Sequence, residues 1–224
     1  MQFEIVGSSM QTLLVELSQG EAMFTERGGM AWLSNVDMDT SARGGLMKGL
    51  GRMVSGESLF MTTYTAKRGG GTIAFTPEAP GRVLSMELQA GKAMLCQRDA
   101  FMCSEDSVDL SMHFHKRLGA GLFGGEGFFL QKVEGPGHVF FEIAGEAHET
   151  TLSSGAELQV DPGHVALFEP TVDFSITRVK GVRNMLLGGE GLFLARLTGP
   201  GKVWLQSLPL PNLAAKLNRY ITTS

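Results

Sequence analysis

The sequence predicts an all-β protein of three tandem repeats packed around a common axis, a pseudo-threefold arrangement closed by a short C-terminal helix. Three observations predict it. The first is self-similarity: Gly124-Gly125-Glu126-Gly127-Phe128-Phe129-Leu130, followed by Gly135-Pro136-Gly137, returns 64 residues later as Gly188-Gly189-Glu190-Gly191-Leu192-Phe193-Leu194, followed by Gly199-Pro200-Gly201. The second is patterning, because runs such as Leu13–Leu17, Phe128–Val133 and Glu157–Val160 alternate apolar and polar residues. The third is punctuation: glycine or proline breaks these runs every 8 to 12 residues, the spacing of a sandwich or barrel.

Taken in order, the first unit spans about residues 1–78. It holds a looser copy of the corner at Gly56-Glu57-Ser58-Leu59-Phe60-Met61, with Gly69-Gly70-Gly71 in place of the compact turn. The second unit, 79–146, and the third, 147–207, carry the two close copies. Within each, the apolar runs flanking Gly-Pro-Gly, such as Phe128–Leu130 and Val139–Phe141, are expected to form a hairpin. Upstream, Val36-Asp37, Val108-Asp109 and Val172-Asp173 stand 20, 17 and 17 residues before Glu57, Glu126 and Glu190, so the repeat is longer than a hairpin. A unit of about 70 residues buries too little surface to stand alone. Residues 208–224 depart from the pattern: Leu213, Leu217 and Tyr220 fall on one helical face after Pro211, and that face is expected to pack on the β body.

Composition excludes several classes. A formal charge of −4 opposes a protein whose main partner is nucleic acid. Met1–Gly20 has no basic segment before an apolar core, and no apolar run approaches a membrane span of roughly 20 residues. Cys96 and Cys103 form no CxxC or zinc pattern and read as reduced thiols of a cytoplasmic protein.

The threefold unit, the Gly-Gly-Glu-Gly corners, the Gly/Leu/Met stretch Gly44–Met53 and the closing Leu208-Pro209-Leu210 together resemble a bacterial family of unknown function. That family is related to the mitochondrial family named for altered inheritance of mitochondria. The resemblance implies three copies of a fold like the tryptophan RNA-binding attenuation protein, a small β-sandwich or double-stranded β-helix. Mitochondrial relatives are linked to inner-membrane organisation. No catalytic residue or cofactor comes with the resemblance, and tryptophan or RNA binding does not follow from fold.

Most motifs reduce to structure. Gly119–Gly124 matches GxGxxG but leads into a strand, not into the helix that a dinucleotide site needs. His113 and His115 share a strand face, the start of a metal site, with no Glu or Asp in the next eight residues. Asp37, Asp109 and Asp173, with the corner residues Gly56, Glu57, Gly125, Glu126, Gly127, Gly189, Glu190 and Gly191, recur once per unit and read as turn and capping positions.

One constellation points to function. The segments 41–54, 113–125 and 177–189 hold eight of the 19 Lys and Arg and none of the 23 acids, which leaves −12 on the rest. The cations are Arg43, Lys48, Arg52, Lys116, Arg117, Arg178, Lys180 and Arg183, interleaved with Leu, Met and Phe. Gathered at one end, they would dock an anionic membrane surface or an acidic protein. The expected function is a non-catalytic scaffold or docking protein, a homo-oligomer without a cofactor. The alternative is a small-molecule or metal-binding protein, with a site between repeats and His113 and His115 as first suspects.

Overall fold

The computed structural model describes residues 1–26, 28–42, 60–116, 127–178, 193–218 and 220. Among the described residues the chain is built of strands, with one short α-helix near the C-terminus. In order the strands are β1 (Gln2–Val6), β2 (Thr12–Leu17), β3 (Ala22–Thr25), β4 (Met30–Ser34), β5 (Val36–Ala42), β6 (Phe60–Ala66), β7 (Gly71–Phe75), β8 (Gly81–Leu88), β9 (Ala93–Gln97) and β10 (Phe101–Glu105). They continue with β11 (Asp109–Lys116), β12 (Phe128–Glu134), β13 (Gly137–Ala144), β14 (Ala147–Leu152), β15 (Glu157–Val160), β16 (Val165–Phe168), β17 (Asp173–Arg178), β18 (Phe193–Thr198) and β19 (Gly201–Gln206), before helix α1 (Leu210–Leu217).

These strands form two compact units. The first comprises residues 1–92, 101–109 and 135–142. Its four-stranded sheet has the order β1-β2-β7-β4, and its six-stranded sheet the order β5-β6-β3-β10-β13-β8. Period-two patterning builds its core: Leu13, Val15 and Leu17 on β2 join Ile73 and Phe75 on β7, with Tyr64, Val83 and Phe140. The second unit comprises 93–100, 110–134 and 143–224. Its sheets run β11-β12-β9-β16-β19-β14 and β15-β18-β17, over a core that includes Leu95, Phe128, Leu130, Phe168, Leu197 and Val203.

The strand orders are related. Raising every strand number of the first six-stranded sheet by six gives the second. Raising the numbers of β5, β6 and β3 by twelve gives β17, β18 and β15, the three-stranded sheet, and lowering those of β10, β13 and β8 by six gives β4, β7 and β2. Each six-stranded sheet therefore draws three strands from one predicted segment and three from the next. The predicted segments 1–78, 79–146 and 147–207 are not self-contained.

Two expectations are corrected. The strands on either side of Gly-Pro-Gly do not pair with each other: β12 pairs with β9 while β13 pairs with β10, and β18 pairs with β15 and β17 while β19 pairs with β14 and β16. Proline lacks the N–H a ladder needs, so the motif ends one sheet and starts another. Gly135 and Gly199 fit there because a Cβ would run into the carbonyls of Leu88 and of Ser153 respectively. Their N–H groups bond equivalent carbonyls, Lys92 and Ala156, both at 3.0 Å. The second correction concerns the tail. Leu217 is 52% and Tyr220 83% exposed, so the face expected to pack does not, and only its start at Leu210 and Leu213 is half-buried.

Candidate functional site

The true hairpins lie across the basic segments. β5 and β6 pair antiparallel over seven rungs from Val36 opposite Ala66 to Ala42 opposite Phe60. β17 and β18 pair from Asp173 opposite Thr198 to Arg178 opposite Phe193, and β11 neighbours β12. In sequence each basic segment thus follows the first strand of such a pair, and the described ends that flank it are paired, Ala42 with Phe60 and Arg178 with Phe193. Lys116 and Arg178 are the last residues of β11 and β17. Arg43, Lys48, Arg52, Arg117, Lys180 and Arg183 lie outside the described residues, as do Gly56, Glu57, Gly125, Glu126, Gly189, Glu190, Gly191 and the GxGxxG stretch. Gly127 is described: it is buried, with φ +103°, immediately before β12.

At the opposite end of these hairpins the structure explains the Val-Asp signature. Val36, Val108 and Val172 each lie where a Cβ on Gly71, Gly137 or Gly201 would meet their Cγ2 atom, at 2.7, 3.0 and 2.7 Å. The valine covers the bare glycine that opens the next strand. Asp37 makes an exposed ion pair with Lys67 at 2.9 Å. The turn bond expected of Asp109 and Asp173 comes instead from two residues that the sequence reading missed. Glu105 Oε2 accepts the His138 N–H at 2.7 Å, and Glu169 Oε2 the Lys202 N–H at 2.8 Å. Their 64-residue spacing was the available signal.

The second unit also contains a cavity of about 410 Å³, bordered by His113 and Phe114 of β11, Leu95, Leu130, and the turn from Pro170 to Phe174. Phe174 stacks on Phe128 and Phe168, both at 5.4 Å between centroids, and takes the edge of Phe114 at 5.7 Å. His113 is exposed, and the side chain of His115 lies outside the description. Among the described residues no three His, Cys, Asp or Glu side chains converge on a metal position. Cys96 and Cys103 are buried and form no disulfide, and burial pushes the Cys103 thiol well above the ordinary range, away from thiolate chemistry. Among the described residues no helix is long and apolar enough to cross a membrane.

Away from these sites, Glu149 accepts from Lys202 Nζ at 2.7 Å and from Trp204 Nε1 at 3.0 Å. The Lys202 hydrogen bond lowers the Glu149 carboxyl below its ordinary value and raises the Lys202 ammonium above its own.

The mitochondrial biogenesis AIM24 family matches residues 3–208. An uncharacterised protein of Streptococcus pyogenes is 33% identical over 230 residues, covering 98% of this chain and 91% of that protein. A crystal structure of a Streptococcus pyogenes protein matches with a TM-score of 0.78 at 28% identity, covering 98% of this chain and 99% of the other.

Proposed function

The chain belongs to the mitochondrial biogenesis AIM24 family, and we propose that it is a non-catalytic, cytoplasmic docking protein that holds an anionic membrane surface through its three basic segments. One observation carries the reading: in three sheets the sequence between corresponding neighbouring strands begins with an acid-free stretch that carries Lys or Arg among apolar residues, before a single glutamate at Glu57, Glu126 or Glu190. Each Lys or Arg near an anionic lipid surface contributes on the order of 1 kcal/mol, and apolar side chains beside it add burial. The body is read as three tandem copies of one unit, a fold like the tryptophan RNA-binding attenuation protein, and the offsets of six in strand order support that. Arg43, Lys48 and Arg52 changed together to Glu should abolish flotation with anionic vesicles. Unchanged flotation would count against the reading, and binding to an acidic protein instead would move it to that partner.

A second reading has its own observation. The cavity beside His113 is bordered by residues of the second and third predicted repeats and has the size of a small-molecule pocket, with an aromatic and aliphatic floor and polar groups at Thr171, Asp173 and His113. Native mass spectrometry of the purified protein tests it: a bound small molecule lost on His113→Ala favours this reading.

A further inference from the structure

Each six-stranded sheet contains one junction where strands of successive segments meet. In the first, β3 lies antiparallel to β10, with Phe24 opposite Ser104. In the second, β9 lies antiparallel to β16, with Leu95 opposite Phe168 and Cys96 opposite Leu167. The strands of both junctions are almost wholly buried.

Two further strands have the same identity and lack that neighbour in their sheets. β4 is the counterpart of β10 and β16, since all three carry the same register shift against the strand three places further along the chain, between Met30 and Trp32, Phe101 and Cys103, and Val165 and Leu167. β15 is the counterpart of β9, because Gln159 faces Arg196 as Leu95 faces Lys132. Among the described residues β4 ends the four-stranded sheet and β15 ends the three-stranded one. Their exposure fits that position: Trp32 is 55% exposed, and Ala31, Ser34, Glu157 and Gln159 are exposed, where Leu95 is 4% and Phe168 0%. An uncovered edge with a half-exposed tryptophan is a template for strand addition.

We propose that β4 of one copy of the chain pairs antiparallel with β15 of a second copy. The register follows from the two junctions already formed. Leu33 holds the place of Phe168 and Gln159 that of Leu95, so Leu33 lies opposite Gln159 and Trp32 opposite Val160. A second copy is the fitting occupant because it presents the counterpart of the strand that covers β10 and β16. The contact is heterologous, and every copy offers both edges, so assembly proceeds to a closed ring or an open filament. The inference rests on strand equivalence and is independent of the docking reading.

The test uses the full chain. Leu33→Cys and Gln159→Cys are made as separate variants, the native thiols being buried. Mixed under mild oxidation, they should give a two-chain disulfide product that neither variant gives alone. Wild-type protein should show a light-scattering mass that is a multiple of 24.1 kDa. Trp32→Glu, at an exposed position, should return the mass to one chain with the circular dichroism unchanged. A single-chain mass at every concentration, a Trp32→Glu mass equal to wild type, or cross-linking of Leu33→Cys with itself would each overturn the proposal.

Discussion

The Glu105 carboxylate accepts the backbone N–H of His138 at 2.7 Å, and so fastens the end of β10 to the start of β13. Glu169 and Lys202 repeat the bond between β16 and β19 at 2.8 Å. In both places the valine three residues on returns its N–H to the glutamate carbonyl, closing the turn that covers the glycine. Glu105→Ala and Glu169→Ala should each cost about 1.5–3 kcal/mol, the range for a hydrogen bond to a charged group. The corresponding Gln variants keep an acceptor and should cost less. Urea unfolding midpoints at neutral pH check the order.

Gly201 and Gly155 both have positive φ, +147° and +77°, but their surroundings differ. A Cβ at Gly201 would stand 2.7 Å from Thr171 Oγ1 and Val172 Cγ2, whereas nothing lies within 4 Å of one at Gly155. Gly201→Ala should cost about 2 kcal/mol or more, through clash added to backbone strain. Gly155→Ala bears the strain alone, about 1 kcal/mol. Thermal melts of the two variants separate the contributions.

The local structure was legible, and the partners of each strand were not. Alternation in Leu13–Leu17 located β2 and its buried face, and the 64-residue offset located β12 with β18 and β13 with β19. Period two gives a strand's faces but carries no information on which strand lies at its edge. Hence Gly-Pro-Gly read as a hairpin turn, although proline there ends one sheet and begins another. The Val-Asp pairs were visible as markers, yet their cause, a valine over a glycine some 29 to 35 residues on, is a tertiary contact. Helical spacing of Leu213, Leu217 and Tyr220 predicted a packed face, but amphipathicity supplies no surface to receive it, and Leu217 and Tyr220 stay in solvent. The basic segments were found from charge counting alone. What the structure adds is the strands that flank them.

Gln206 is a buried polar side chain of the second unit that holds two backbone groups. Its Nε2 donates to the Gly163 carbonyl at 2.9 Å and its Oε1 accepts from the Ala144 N–H at 3.2 Å, at 7% exposure. Gln206→Leu keeps the volume and strands both backbone groups, so it should cost about 2–4 kcal/mol. Denaturant unfolding measures it, and a near-neutral result would show that the two groups find other partners.

The Glu149–Lys202 pair makes a pH prediction with a definite sign. Glu149 titrates below its ordinary value of 4.5, so its contribution is present above pH 4.5 and is lost as pH falls through the lowered folded value. Lys202 titrates above 10.5, so its contribution is present below pH 10.5 and is lost as pH rises through the raised value. The stability difference between wild type and Glu149→Gln should therefore be constant from pH 5 to 10 and vanish in stronger acid. Melting curves of both proteins across pH test this, and a difference that persists in strong acid would contradict it.

The docking account stands most directly on vesicle flotation of the full chain, with anionic and neutral liposomes compared at about 0.05 M and about 0.3 M salt, conditions between which the screening length falls by more than half. The account predicts co-flotation with anionic vesicles at low salt, none with neutral vesicles, and loss of the protein from the anionic fraction at high salt. Failure to float with anionic vesicles at low salt, or equal flotation with both lipids at either salt, would contradict it.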